Sequence, residues 1–170
     1  MRKGALILTL ALLTLANPVH AAKSKDSRCY SPVEIEAEQL LRLHSELMVI
    51  TVTCKMSSTG QDLVAAYTGF TRNNINALRD AEQTMTGYFK KTYGGKGVDR
   101  LDKLRTTLAN EYGQEIANVS APVFCAQRRD RVISFYGASP ATVQGEVMRA
   151  SASTYEPPCP AAHKTAKNGK

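Results

Sequence analysis

The chain has 170 residues and carries 22 Lys and Arg against 15 Asp and Glu, which gives a formal net charge of +7. Trp is absent and aromatic residues make up only 6%, so the core has to be built mainly from Leu, Ala, Val, Ile and Met, which suits helices better than a β-sandwich. The basic residues are spread along the sequence without an aromatic-plus-basic motif, so no specific nucleic-acid partner is expected.

Residues 1–22 have the pattern of a secretory signal peptide. Two basic residues precede a leucine-rich run that is too short to span a bilayer, and the small-residue cleavage site Val19-His20-Ala21 follows. We therefore expect export, with cleavage near Ala21 or Ala22 and a periplasmic or secreted mature protein, and a bacterial source fits the short signal best. No second apolar stretch is long enough to be a transmembrane segment of the mature chain.

The mature region has the length of one domain, since about 100–200 residues is usual for a single core. We expect one helical domain over residues 23–152. From residue 153 the composition changes to a Pro-, Lys- and Ala-containing segment, so residues 153–170 are predicted to form a tail that is tethered by Cys159 and disordered beyond it.

Four cysteines, Cys29, Cys54, Cys125 and Cys159, lie in the mature region. In an oxidising compartment an even number predicts two disulfides, and free buried thiols are the alternative. No pair has the C-x-x-C spacing, so a redox-active dithiol, a thiolate zinc site and covalent haem attachment lack their usual sequence support.

The first helix is predicted to begin at Ser31-Pro32-Val33-Glu34, where Ser is the N-cap, Pro takes the first helical position and Glu completes a capping box. It continues to about Lys55, and Ser57-Ser58-Thr59-Gly60 ends it. The stretch 47–54 is apolar nearly all round and rich in β-branched residues, which leaves a strand as the alternative. We favour a helix that is central and largely buried.

The second segment, residues 61–93, forms one long amphipathic helix or two collinear ones. Its apolar positions repeat every three or four residues and comprise Leu63, Tyr67, Phe70, Ala77, Ala81, Met85 and Tyr88. These positions form an apolar seam along the segment, and Asn74 is its polar interruption. We expect any bend to fall at Gly69 or at Asn73-Asn74 and the segment to end at Gly94-Gly95.

Three further helices are predicted. The third runs from about Val98 with a stripe of Leu101, Leu104, Leu108, Tyr112, Ile116 and Val119, and Pro122 ends or kinks it. The fourth covers about residues 123–136, with Phe124, Ile133 and Tyr136 toward the core. Ser139-Pro140 starts a fifth that reaches about Ala150. The fold class is therefore an all-α, disulfide-stapled bundle of three long helices plus one or two shorter C-terminal helices.

Bundle geometry selects one disulfide pairing. The first helix separates Cys29 from Cys54 by about 36 Å at roughly 1.5 Å per residue, whereas a disulfide needs Cα atoms within about 7 Å. In an up-down-up bundle the third helix ends near Cys125 at the same pole as Cys54, and the last helices return the chain toward Cys29. We therefore predict Cys54–Cys125 and Cys29–Cys159.

The sequence contains few groups for catalysis. The mature region has two histidines, His44 and His163, and it lacks G-x-S-x-G and S-x-x-K. His44 shares helical spacing with Leu40 and Leu47 without a ligand motif beside it, which is typical of a hydrogen-bonded residue at the edge of a core. We expect no catalytic residue, no metal and no cofactor.

Two basic clusters are candidate binding sites. Lys90, Lys91 and Lys96 surround a glycine-rich turn that could bind an anion, although cations and glycine are also typical of a helix C-terminus. Arg128, Arg129 and Arg131 are interpreted as a solvated helix face, with contact to a protein partner or an anionic surface as the alternative. If they contact an anionic partner, replacing all three is expected to weaken capture of that partner and flatten its salt dependence, while the melting temperature stays nearly unchanged.

These features favour a small exported protein that acts by binding or envelope interaction, without catalysis. One alternative is a carrier of a small apolar ligand, with a cavity among Leu47, Ile50, Phe70, Met85 and Leu108. Another is an enzyme of unrecognised type. A lined apolar cavity would favour the carrier, whereas an exposed apolar or Arg-rich patch would favour binding to a protein or a surface.

Overall fold

A computed structural model describes residues 28–55, 62–150 and 154–160. Within these ranges 81% of the residues are helical and no strand occurs, which confirms the all-α disulfide-stapled bundle. The six helices are α1 (Pro32–Cys54), α2 (Leu63–Asn73), α3 (Ile75–Tyr93), α4 (Gly97–Val119), α5 (Ala121–Ser134) and α6 (Pro140–Arg149). The predicted signal peptide, the predicted stop after α1 and the predicted disorder beyond Cys159 lie outside or largely outside the described residues.

Helix α1 is the central element, because it packs against each of the other five helices. It begins as the sequence predicts, with Pro32 in the first turn and the Glu34 carboxylate accepting a 2.6 Å hydrogen bond from the Ser31 amide. The strand alternative for residues 47–54 is wrong. A helix that is surrounded on all sides buries apolar residues around its whole circumference, which explains the weak amphipathic pattern there.

The second segment is two helices, and the bend lies at Asn74. This side chain is buried, and its Nδ2 donates to the carbonyl of Phe70 (2.9 Å) and to that of Ala138 (3.1 Å). An amide that bonds a backbone carbonyl one turn earlier competes with the helical ladder. Asn74 therefore marks the break and also ties it to the loop before α6.

The boundary between α4 and α5 lies at Ser120, two residues before the predicted break at Pro122. Ser120 has a φ of 75°, so α4 ends there and Pro122 falls in the first turn of α5. As a result α5 begins and ends earlier than predicted. Tyr136 lies beyond the end of α5 and is 67% exposed, so the prediction that it faces the core is wrong. The neighbouring Phe135 is buried instead.

The two disulfides are Cys54–Cys125 and Cys29–Cys159, the pairing expected from bundle geometry. Cys54 and Cys125 are buried and join the end of α1 to the second turn of α5. Cys159 instead lies on the surface. The bundle therefore has one internal and one peripheral crosslink.

Residues 154–160 form a non-helical segment, here named the C-terminal strap, which bends at Tyr155 and Glu156 and runs beside the start of α1. The Tyr30 amide donates to the Pro157 carbonyl (2.8 Å), and the Cys159 amide donates to the Tyr30 carbonyl (2.9 Å). The strap thus holds the chain after α6 at the N-terminal pole of α1. No helix in the described ranges is long and apolar enough to cross a membrane.

Candidate functional site

The arginine cluster of α5 forms ion pairs with three other helices. Arg128 approaches Glu115 of α4 at 2.7 Å and Glu46 of α1 at 3.5 Å. Arg131 lies 2.8 Å from Glu146 of α6 and 3.4 Å from Glu46. The carboxylate of Glu46 is nearly buried and is shared by both guanidinium groups. These arginines hold α5 against its neighbours.

The interpretation of this cluster as a solvated face is therefore wrong. All three side chains are partly buried, including that of Arg129, whose Nε lies 3.5 Å from Asp130. The hydrogen bond from Arg131 holds the pKa of the Glu146 carboxyl below its usual range. Replacing the cluster removes contacts between helices, so we now expect it to lower stability. Partner binding by these arginines stays a prediction, and their charge is already largely compensated within the chain.

The three candidate lysines flank the turn between α3 and α4. Lys90 and Lys91 lie exposed in the last turn of α3, and Lys96 precedes α4. The amides of Gly94 and Gly95 both donate to the Lys90 carbonyl (3.1 and 3.4 Å), so they close the helix end and do not face a ligand. Anion binding by these lysines stays a prediction without support from the backbone amides of the turn.

The third glycine of this turn has a packing role. A Cβ on Gly97 would lie 2.6 Å from the Thr86 carbonyl oxygen and 2.5 Å from the Lys90 Cγ. Only glycine lets the start of α4 approach α3 this closely. The glycine-rich pattern is explained by the turn and by helix packing.

A buried carboxylate on α1 lies beneath the C-terminal strap. Glu38 is fully buried, and both of its oxygens accept from the Tyr155 amide at 2.9 Å. Arg42, one turn later, lies 3.2 Å from Glu38 and also pairs with Glu111 of α4. Burial raises the pKa of Glu38, although the hydrogen bonds from Tyr155 and Arg42 oppose the shift. The pKa of Tyr30 is also raised, first by its burial and then by the nearby Glu38 carboxylate. This network of hydrogen bonds and ion pairs joins the C-terminal strap to α1 and α4.

His44 occupies the boundary position that its spacing predicts. The Tyr67 hydroxyl and the His44 Nε2 are 2.7 Å apart, and the two rings stack. Burial lowers the pKa of the His44 imidazole, so the ring is neutral near pH 7. A neutral imidazole in this hydrogen bond is a structural group of the core edge.

A groove with a volume of about 440 Å³ is bounded by α1, α3 and α6; we name it the α1–α3–α6 groove. Its floor and walls are mostly small apolar side chains. They comprise Val33, Ala37, Leu40, Ala77, Ala81, Pro140, Ala141, Val143 and Val147, together with the polar Glu36, Asp80, Thr84 and Gln144. The seam residue Ala77 is only partly buried because it faces this groove.

The polar side chains of the groove include two carboxylates, Glu36 on α1 and Asp80 on α3, and no Lys or Arg is among its described lining residues. The Gln144 amide donates to Glu36 at 2.9 Å, so α6 orients this carboxylate. Val33 lies at the groove with 65% of its surface exposed. The groove thus combines an apolar floor, an exposed aliphatic side chain and a negative rim.

The residues proposed to line a carrier cavity pack elsewhere. Leu47, Ile50, Phe70, Met85 and Leu108 are each fully buried in the core, and none of them lines the groove. Glu36, Asp80 and the wall formed by α6 are not among the site residues expected from the sequence. The available signal was that two positions of the apolar seam, Ala77 and Ala81, carry small side chains.

Among the described residues no three His, Cys, Asp or Glu side chains gather in a way that could hold a metal ion. Comparison with protein-family models, with curated proteins and with solved structures finds no match for this chain. The groove is therefore the feature on which a function can be proposed.

Proposed function

We propose that this chain is an exported binding protein without catalytic activity, and that the α1–α3–α6 groove is the surface that receives a segment of a protein partner. The observation that carries the proposal is the groove of about 440 Å³, which is apolar at its floor and open to solvent. An exposed apolar concavity is typical of interaction sites, because a soluble domain otherwise covers such surface.

Two further observations support a protein partner over a small apolar ligand in the core. The core positions that a carrier would need are filled, and the groove is open to solvent and walled by helices. A helix or strand of a partner can lie along such walls. A small-molecule site, by contrast, usually buries roughly 70–90% of the ligand's surface. The two disulfides agree with the exported location that the N-terminal pattern predicts.

Filling the groove is expected to abolish partner capture. In Ala77→Phe a ring projects from α3 into the groove, whereas Ala117→Phe adds the same ring to an exposed position on α4. Tagged wild-type, Ala77→Phe and Ala117→Phe proteins are incubated with envelope extract of the source cells and the captured proteins are quantified by mass spectrometry. We expect one stoichiometric protein with wild type and with Ala117→Phe, and at least a tenfold loss with Ala77→Phe.

Circular dichroism melting shows whether each variant is folded. If Ala77→Phe is unstable, Ala141→Phe on the exposed wall of α6 fills the groove from the other side without a change to the α1–α3 contact. Equal capture by wild type and by folded groove-filled variants would rule out this surface as the binding site.

A further inference from the structure

We infer that the partner segment in the α1–α3–α6 groove is a cationic amphipathic helix, with aliphatic side chains on the groove floor and Lys or Arg side chains against Glu36 and Asp80. This inference rests on the proposed function and adds the chemistry of the partner. It follows from the shape of the floor and from the charge of the rim.

The floor is shaped by small side chains at the contact of α1 and α3. Ala37, Ala77 and Ala81 are each shorter than the leucines and phenylalanines that fill the core nearby. Helix axes pack about 8–10 Å apart, and small side chains at the contact allow the closer approach. A partner helix can therefore lie along this floor, with α6 as the opposite wall. Its Leu-sized side chains would enter the space that the alanines leave.

The rim defines the charge of the occupant. Glu36 and Asp80 lie on different walls, and Lys and Arg are absent from the described lining residues. The described lining residues therefore carry two carboxylates and no compensating cation. Charge complementarity of this kind attracts cationic partners and disfavours anionic ones.

The carboxylate of Glu36 retains capacity for a partner. It accepts one hydrogen bond, from Gln144, and an ionised carboxylate has about four acceptor positions. Gln144 leaves the charge of Glu36 uncompensated because an amide is neutral. By contrast Glu46 faces two arginines of its own chain. Glu36 is therefore a fixed anionic contact that a Lys or Arg side chain can reach.

Three synthetic peptides of about 16 residues, long enough for roughly four helical turns, test this chemistry. The first has leucines at amphipathic spacing with Lys and Ala elsewhere. The second replaces every Lys with Glu, and the third is a scrambled isomer of the first without an apolar face. Binding of fluorescent peptides to the full-length mature protein is measured by anisotropy at low and at physiological salt.

The Lys peptide is expected to bind with an affinity that falls as salt rises, and the Glu and scrambled peptides are expected not to bind. Glu36→Gln with Asp80→Asn should weaken the Lys peptide roughly tenfold, whereas the charge-matched control Asp99→Asn with Asp130→Asn should leave it unchanged. Glu36→Lys with Asp80→Lys should reverse the preference toward the Glu peptide. Ala141→Phe should abolish binding.

Absence of binding by the Lys peptide, or equal binding of Lys and Glu peptides, would overturn the inference of a cationic helix. Equal binding of the Lys and scrambled peptides would overturn the helical part by favouring an extended or non-specific mode. The proposed function fails separately, when groove-filled variants still capture their partner from envelope extract. A groove-dependent partner with an acidic or neutral binding segment would uphold the function and reject this inference.

Discussion

Replacing Cys54 and Cys125 together by alanine is expected to lower the free energy of unfolding by about 4 kcal/mol. The crosslink joins residues 71 positions apart, and the chain-entropy model assigns about 3–5 kcal/mol to loops of this length. Both sulfurs are buried where α1 meets α5, so their removal also leaves unfilled space in the core. We expect the largest stability loss of any disulfide variant at this pair.

The peripheral pair gives the matched comparison. Cys29–Cys159 closes a longer loop, with a separation of 130 residues, so entropy alone would give it the larger effect. Its loss, however, lets the C-terminal strap detach while the helices stay folded. The native state then regains the strap's conformational entropy, which limits the net destabilisation. We expect Cys29→Ala with Cys159→Ala to cost clearly less than the buried pair.

Urea unfolding of wild type and both double variants under non-reducing conditions measures which disulfide contributes more to the free energy of unfolding. Peptide mapping without reduction verifies that each variant keeps its other disulfide. If removal of Cys29–Cys159 cost as much as removal of Cys54–Cys125, the strap would be an integral part of the cooperative fold, and the division into an internal and a peripheral crosslink would be wrong.

Arg42→Ala is expected to destabilise the protein by about 3–5 kcal/mol, the usual cost of leaving a buried carboxylate without its cation. Glu38 is fully buried beneath the strap, and Arg42 is the cation 3.2 Å from it. Arg105→Ala is the control. Its side chain is about 42% exposed and pairs with Glu82 at the surface, so its loss should cost less than about 1 kcal/mol.

The pH dependence separates this electrostatic cause from simple loss of packing. Burial raises the folded-state pKa of Glu38 above its ordinary value of 4.5. A carboxyl with a raised pKa favours the folded state more as pH falls through the folded pKa toward 4.5, and that contribution is lost as pH rises. Without Arg42 the pKa of Glu38 should rise further, so the destabilisation by Arg42→Ala should shrink between pH 7 and pH 5.

Urea unfolding at both pH values tests this prediction. The control uses a Glu38→Gln background, which lacks the titrating carboxyl. In that background the free-energy cost of adding Arg42→Ala should be the same at both pH values. A cost of Arg42→Ala that is equal at pH 7 and pH 5 would mean that the side chain acts through its packing and not through its charge.

The helices and the disulfides could be predicted because their signals are local or follow from helix length. The capping box at Ser31 determines the start of α1, and a helix of this length keeps Cys29 away from Cys54. The break at Asn74 was among the expected positions. The break at Ser120 was not, because a non-glycine residue at positive φ has no clear sequence signature.

The candidate site depends on packing that periodicity does not specify. An arginine has the same pattern on a solvated face as in a cross-helix pair, so the contacts of Arg128 and Arg131 with Glu46 could not be predicted from sequence. Glu38 likewise has no sequence signal that marks it as buried, because acidic residues near a helix N-terminus are common. The groove arises because α6 packs mainly against α1 and leaves part of α3 uncovered, which is a property of tertiary arrangement.

The most direct test of groove binding is photocrosslinking in cells of the source species. A photoreactive phenylalanine analogue is placed at Ala141, which is exposed on the groove wall, and at Ala117, which is exposed on α4 and does not line the groove. We predict one discrete protein adduct from position 141, lost when Ala77→Phe is added, and none from position 117. Absence of an adduct at 141, or the same adduct from both positions, would contradict the proposal that this groove receives a protein partner.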